Sequence, residues 1–330
     1  MNHALDVVTF GEAMVLLVAD QAGPLEDAPG FHKRTAGAET NVAIGLARLG
    51  LKVGWASRLG NDSMGRYLLA AMRHEGIDCS HVECDAELRT GLMFKGRVND
   101  GSDPPVEYHR SGSAASRMGA GDVDAAWLRS ARHLHATGVF PAISTSAMEA
   151  ARYSFEAMRV DGGDPGKGGN EGGHGHGART ISFDPNLRPT LWASNEQMRA
   201  GINHFAERAD WVLPGLEEGR FLTGAATPEA VARHYRERGA ALVVVKLGPE
   251  GAYFDGLAGC GYVGGFPVPK VIDTVGAGDA FAVGVISAML EGLSVPEAVK
   301  RGALIGARAV QVLGDTEGLP TRAELPDADL

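Results

Sequence analysis

The chain has 330 residues, 44% of them hydrophobic and only 22% charged, enough apolar material to bury a substantial core. Its 31 Lys and Arg against 41 Asp and Glu leave a formal charge of −10, which argues against a nucleic-acid partner and obliges any anionic ligand to find locally placed arginines. Three cysteines without Cys-x-x-Cys spacing indicate neither a disulfide framework nor structural zinc, and with no leader-like start and no membrane-length apolar run a cytoplasmic protein without a membrane partner is expected.

Residues 7–10 and 14–19 are apolar runs separated by Gly11 and Glu12, and they read as strands. Residues 20–35 are weakly patterned, with a further short strand near Phe31. In 36–50, Val42, Leu46 and Leu49 recur about one turn apart and Gly50 ends the helix. A buried strand at 53–57 precedes a helix that begins at Asn61, Asp62 and Ser63, runs through His74 and stops at Gly76. Between Thr90 and Arg110 the helical period disappears, and 92–98 and 106–110 read as hairpin-like strands around the turn-rich segment 99–105.

Beyond that point the pattern alternates: helix 122–130, strand 133–137, helix 146–159, strand 180–183, helix 195–208, strand 211–213. Short strands alternating with helices imply a parallel sheet covered on both faces. Thr227 and Pro228 open another helix, 241–246 is a valine-rich strand, and Ser294 with Glu297 forms a capping box for the last long helix, to Leu313. The stretch 161–178 is dominated by glycine and reads as a flexible insertion in which His174 and His176 are incidental.

The string Asp-Thr-Val-Gly-Ala-Gly-Asp-Ala-Phe at 273–281 carries the most chemistry. Its glycines, Gly276 and Gly278, allow the backbone N–H groups of Gly276, Ala277 and Gly278 to converge at the start of a helix whose dipole favours negative charge. That arrangement is an anion cradle. Asp279 at its mouth would repel the anion, so its use is to accept a proton from an attacking hydroxyl. No Lys-Ser/Thr follows the glycines, which excludes a Walker loop.

The whole string resembles the C-terminal signature of the ribokinase-like (PfkB) family of sugar kinases. The resemblance implies one α/β domain over 1–330, a three-layer doubly wound and mostly parallel sheet, with a small β-sheet lid from strands within 12–35 and 90–112. Residues 36–50 resemble the family's sugar-binding segment, where Gly37 lets the sugar approach the backbone and Asn41 bonds its hydroxyls. Residues 106–116 resemble the part of 2-keto-3-deoxygluconate kinases where a tyrosine and an arginine bind the acid sugar, with Tyr108 and Arg110 in the matching positions. Two residues apart on a strand, they face one way, and the arginine fork matches a carboxylate.

Asp184-Pro-Asn-Leu-Arg188 follows an apolar strand at the sheet's ligand-binding edge. There the resemblance carries over Arg188 as a second cation for the substrate and Asp184 as a polar group toward the nucleotide. Glu218 matches the acid of the family's Asn-x-x-Glu, which serves Mg²⁺, although Gly215 stands where Asn is usual. Lys246, Gly248 and Gly251 resemble the nucleotide-binding turn, and Asp315 a C-terminal loop that closes on the substrate. Met93 and Ala303 depart from an aromatic and a polar residue common in the family.

These parts together imply ATP- and Mg²⁺-dependent phosphorylation of the terminal hydroxyl of a sugar acid, 2-keto-3-deoxygluconate, by a homodimer joined through the lid. Two rivals stay open. A kinase for a neutral sugar such as fructose would leave two arginines facing an uncharged ligand, and a non-catalytic sugar- or nucleotide-binding protein would not need Asp279 beside the glycine loop. A nicotinamide dehydrogenase is disfavoured, since no Gly-x-Gly-x-x-Gly follows the first strand.

Overall fold

Apolar runs of four to eight residues that alternate with one-sided helices can bury both strand faces only between two helical layers. The computed structural model describes residues 3–98, 104–159 and 179–325; the insertion at 161–178 and most of the turn at 99–105 lie outside them. In chain order the elements are β1 (Leu5–Phe10), β2 (Met14–Ala19), β3 (Phe31–Ala36), α1 (Ala38–Arg48), β4 (Val53–Gly60), α2 (Ser63–His74), β5 (Asp78–Asp85), β6 (Leu92–Lys95) and β7 (Val106–His109). There follow α3 (Ala125–Arg129), β8 (Ala131–Thr137), α4 (Thr145–Arg159), β9 (Thr180–Asp184), α5 (Asn195–Ala206), β10 (Trp211–Val212), α6 (Leu216–Thr223) and α7 (Pro228–Arg236). The chain finishes with β11 (Leu242–Lys246), β12 (Ala252–Gly256), β13 (Gly259–Val263), α8 (Ala277–Glu291) and α9 (Val295–Ala309).

The main sheet has nine strands in the order β13-β12-β11-β10-β9-β8-β1-β4-β5. It is parallel from β5 to β11, and the β12–β13 hairpin adds antiparallel at one edge. Successive strands leave β1 in opposite directions, so the order reverses between β1 and β8, and a crevice opens at the strand ends there. One apolar layer, with Leu46, Trp55, Val283 and Ile286, lies on one face; Phe10, Phe155, Phe183 and Tyr235 fill the other. The three-layer doubly wound architecture is the one expected.

Four further strands form a separate sheet, β3-β2-β6-β7, in which β2 and β6 run parallel and the outer pairs antiparallel. Met14, Leu16, Val18 and Met93 give it a small core that also takes Leu313 from beyond α9. This is the lid.

Several boundaries differ from the sequence reading. The strand placed at 92–98 stops at Lys95, the helix placed at 122–130 is α-helical only from Ala125, where Asp124 caps it, and the last helix ends at Ala309 rather than Leu313. Four elements had no assignment. Strand β5 is polar because only β4 flanks it, α6 spans barely two turns, and the β12–β13 hairpin is broken by glycines.

Candidate active site

Asp279 sits in the first turn of α8, and the chain reaches it through Gly276, whose φ of +82° is left-handed. A Cβ at Gly276 would lie 2.8 Å from the Asp315 carbonyl oxygen, so both torsion and space demand glycine. Asp273 anchors the start of this loop by accepting the Val275 N–H at 3.1 Å. Asp279 is 7% exposed. One of its oxygens accepts from Asn41 Nδ2 at 2.8 Å and the other from Asn186 Nδ2 at 3.4 Å. Burial pushes the Asp279 carboxyl up to about 8; Asp184 and Asp315 add to the rise, while Asn41 and Lys246 oppose it.

A cleft of about 480 Å³ opens over this carboxylate, between the main sheet and the lid. Of the residues expected at the site, Gly37, Asn41, Tyr108, Arg110, Asp184, Arg188, Glu218, Lys246, Gly276, Gly278, Asp279 and Asp315 line it. Gly248, Gly251 and Ala277 do not. A Cβ at Gly251 would lie 2.0 Å from the Val263 carbonyl, so this glycine serves the close approach of β13's end to the turn after β11. Met93 faces the cleft, whereas Ala303 is buried in the core.

The lid side corrects one expectation. Arg110 is not an unpaired cation awaiting a ligand: its Nε and Nη2 lie 2.7 and 2.5 Å from Glu12, a buried carboxylate that also accepts from Ser113 Oγ. Arg188 is exposed and donates to the neighbouring Leu187 carbonyl at 2.9 Å, which leaves the rest of its fork toward the cleft. A neutral ligand would therefore not strand two buried guanidinium groups. Tyr108, 48% exposed, stands on the rim. Deeper in, Asn41 Oδ1 and Asp315 Oδ1 are buried and accept no hydrogen bond. Both residues line the cleft, and acceptors left over in this way suit the hydroxyl donors of a sugar. Burial raises Asp315 to about 6, with Lys95 opposing and Asp273 adding.

On the other side Lys246 Nζ donates to Asp184 at 2.6 Å. Burial opposes its charge, but the carboxylates of Asp184, Glu218 and Asp279 outweigh that and hold its pKa above the ordinary value. A Cβ at Gly278 would come within 3.4 Å of this ammonium, so the cation stands beside the glycine loop. Glu218 is the N3 residue of α6, and its two oxygens accept the N–H groups of Leu187 and Gly215, each at 2.8 Å. Among the described residues no group of three or more acidic, His or Cys side chains is placed to hold a metal. The donor set fits no resident metal centre, and Glu218 is the cleft carboxylate that would face a metal ion entering with a nucleotide, where such an ion would neutralise phosphate charge.

Asn186, Glu12, Lys95 and Asp273 belong to this assembly and had no assigned role. Asn186 was the one open to detection: it lies inside the Asp-Pro-Asn string, and among the described residues it is the non-glycine with positive φ, +40°, a conformation asparagine tolerates best.

The profile of the pfkB family of carbohydrate kinases matches residues 4–165 and 173–322. The chain belongs to that family. It is 46% identical over 322 residues, 97% of its own length and 94% of the relative's, to a 2-dehydro-3-deoxygluconokinase of Bacillus subtilis (strain 168). Its structure is similar to a crystal structure of a PfkB protein from Polaromonas sp. JS666, with a TM-score of 0.86 and 70% identity over 97% of this chain and 99% of the other. It is also similar to a putative ribokinase II from E. coli in complex with ATP and Mg²⁺, with a TM-score of 0.85 and 26% identity over 97% of each chain. This pfkB-family protein is thus an ATP-dependent sugar kinase, and its match omits 166–172, within the glycine-rich insertion.

Proposed function

We propose that this kinase transfers the γ-phosphoryl group of Mg·ATP to the terminal hydroxyl of a sugar acid, 2-keto-3-deoxygluconate (2-dehydro-3-deoxygluconate), giving the 6-phosphate. One observation carries the reading: a buried carboxylate, Asp279, stands between the glycine loop of α8 and a cleft whose other walls present sugar-type acceptors and the Arg188 cation. The 46% identity to a 2-dehydro-3-deoxygluconokinase supports the choice of sugar.

In this reading Asn41, Asp315 and Tyr108 hold the sugar hydroxyls and Arg188 faces its carboxylate. Arg110 keeps Glu12 as its partner and shapes the lid. Asp279, held by Asn41 and Asn186, orients the terminal hydroxyl and takes its proton onto a carboxylate oxygen as the hydroxyl oxygen bonds to the γ-phosphorus and the bond from that phosphorus to the β–γ bridging oxygen breaks, releasing ADP. A carboxyl raised to about 8 accepts such a proton far better than an ordinary aspartate. The amides of Gly276, Ala277 and Gly278, with Lys246 beside them, face the charge on the moving phosphoryl group. Mg²⁺ supplies charge neutralisation to the phosphates it arrives with.

Three free cysteines, Cys79, Cys84 and Cys260, suit a reducing, cytoplasmic setting. The exposed outer strand β7 of the lid is the surface assigned to a homodimer, which sedimentation of the intact chain tests.

The decisive assay compares 2-keto-3-deoxygluconate, fructose and ribose in ATP-coupled turnover, with the phosphorylated position read by ³¹P NMR. The acid sugar should lead in kcat/KM by at least about 10²-fold. Preference for fructose would overturn the substrate, and ATP turnover with none of the three would overturn the sugar class.

A further inference from the structure

Lys95 ends the lid strand β6, yet its side chain is fully buried, at 0% exposure. An ammonium removed from water needs countercharges. It has two, and neither belongs to the lid: Nζ lies 2.5 Å from Asp273 Oδ2 and 3.6 Å from Asp315 Oδ1. Asp273 in turn accepts the Val275 N–H at 3.1 Å and the Gly314 N–H at 3.2 Å. One carboxylate thus ties together the glycine loop, the C-terminal loop and the lid. Gly276 is packed on the Asp315 carbonyl, so the same node sets where the α8 amides stand. Lys95 itself does not line the cleft and touches no substrate there.

We infer that Lys95 is a positioning residue for phosphoryl transfer, a cation tethered to the lid that holds Asp273 and Asp315 and so fixes the glycine loop. Without it two buried carboxylates, with Asp279 close by, would face each other at the place where an anionic phosphoryl group must be received. A small free cation in the vacated space should then do part of the work of the missing ammonium. The inference rests on the kinase activity and not on which sugar is phosphorylated.

The test uses the full chain with Lys95→Ala at constant ionic strength, balanced with tetramethylammonium chloride, which is too large for the site. Wild-type turnover should not respond to ammonium or potassium. Lys95→Ala should lose about 10²-fold in kcat, comparable to removing one fixed donor from a reaction centre, with KM for ATP changed by less than about threefold. Ammonium or potassium at about 100 mM should restore kcat at least about tenfold and raise the melting temperature of the variant, because a ligand of the folded state alone stabilises it. Three results would overturn the inference: a wild type that itself gains from these cations, a Lys95→Ala kcat within about threefold of wild type, or a folded variant that no small cation rescues. If Lys95→Ala does not fold, the charge-neutral pair Lys95→Met/Asp273→Asn should fold, turn over slowly and ignore ammonium. Wild-type turnover in that pair, or its failure to fold, also overturns the role. The thermal response of Lys95→Ala to ammonium is readable without turnover, so failure on 2-keto-3-deoxygluconate would sink the substrate and leave this test standing.

Discussion

Replacing Asp279 by Asn removes the proton acceptor while keeping a side chain of the same size, whose oxygen still accepts from one of the two asparagines and whose amide nitrogen meets the other only if that amide turns its own oxygen toward it. Because burial lifts this carboxyl to about 8, only about a tenth of free enzyme molecules carry the ionised form at pH 7, and about a hundredth at pH 6. In the wild type kcat/KM should therefore climb about tenfold per pH unit between roughly pH 5.5 and 7.5 and level off above about 8. Asp279→Asn should lower turnover by about 10²–10⁴-fold and abolish that limb. Initial rates of the coupled reaction at subsaturating sugar acid, taken at fixed ionic strength, provide the measurement. The sign for stability is opposite to that for activity. A carboxyl whose folded pKa lies above its unfolded value contributes most below about 4, and that contribution is lost as pH rises through about 8. Asp279→Asn should thus melt higher than wild type at pH 8.5, by an amount equivalent to at least about 1 kcal/mol, with the gap closing toward pH 4. A flat wild-type profile, or the same limb surviving in Asp279→Asn, would refute the assignment of the base.

Four other outcomes follow from the geometry. Gly276→Ala adds a Cβ against the Asp315 carbonyl at a left-handed φ, so about 1–2 kcal/mol of stability should be lost from the torsion alone, with a larger fractional loss of kcat, read by thermal melts and initial rates. Arg188→Ala should raise KM for the acid sugar by about 10-fold or more while leaving ATP binding unchanged, whereas Arg110→Ala should cost about 3–5 kcal/mol by stranding buried Glu12, a loss that adding Glu12→Gln partly restores. Burial holds His133 and His135 neutral, and their neighbours add to the effect, with His135 lowered to about 3; groups depressed in this way draw stability from the fold as pH falls below about 6.5. Melting temperature should drop between pH 7 and 5, and less steeply in His135→Gln.

The glycine loop and its aspartate were legible because seven neighbouring residues hold the torsions, the amides and the carboxylate together. The layers were legible too: α4 declares one apolar face, α8 is apolar all round, and the capping boxes mark their own helices, as at Ser294 and Glu297. What stayed hidden joins distant segments. Lys95 meets Asp273 across 178 positions and Arg110 meets Glu12 across 98, and no local pattern tells a paired charge from a waiting one. Reading Arg110 as free was the cost of that blindness. Strand β5 escaped for another reason: its side chains face solvent and the sheet's end, so Asp78-Cys-Ser-His-Val-Glu-Cys-Asp85 shows none of the hydrophobic alternation of a strand packed on both sides.

The place of β1 inside the main sheet, third from the β5 edge, bears on how the protein is made. Of that sheet's strands the ribosome delivers β1 first; β4 and β5 follow on one side, and β8, β9, β10 and β11 then emerge in the order in which they dock on the other, each meeting an already seated neighbour. The phosphate-facing loop and Asp279 come out only after β13. A nascent chain would thus own its whole main sheet before it could turn over a single nucleotide, with the lid's buried lysine waiting for Asp273 until β13 has emerged.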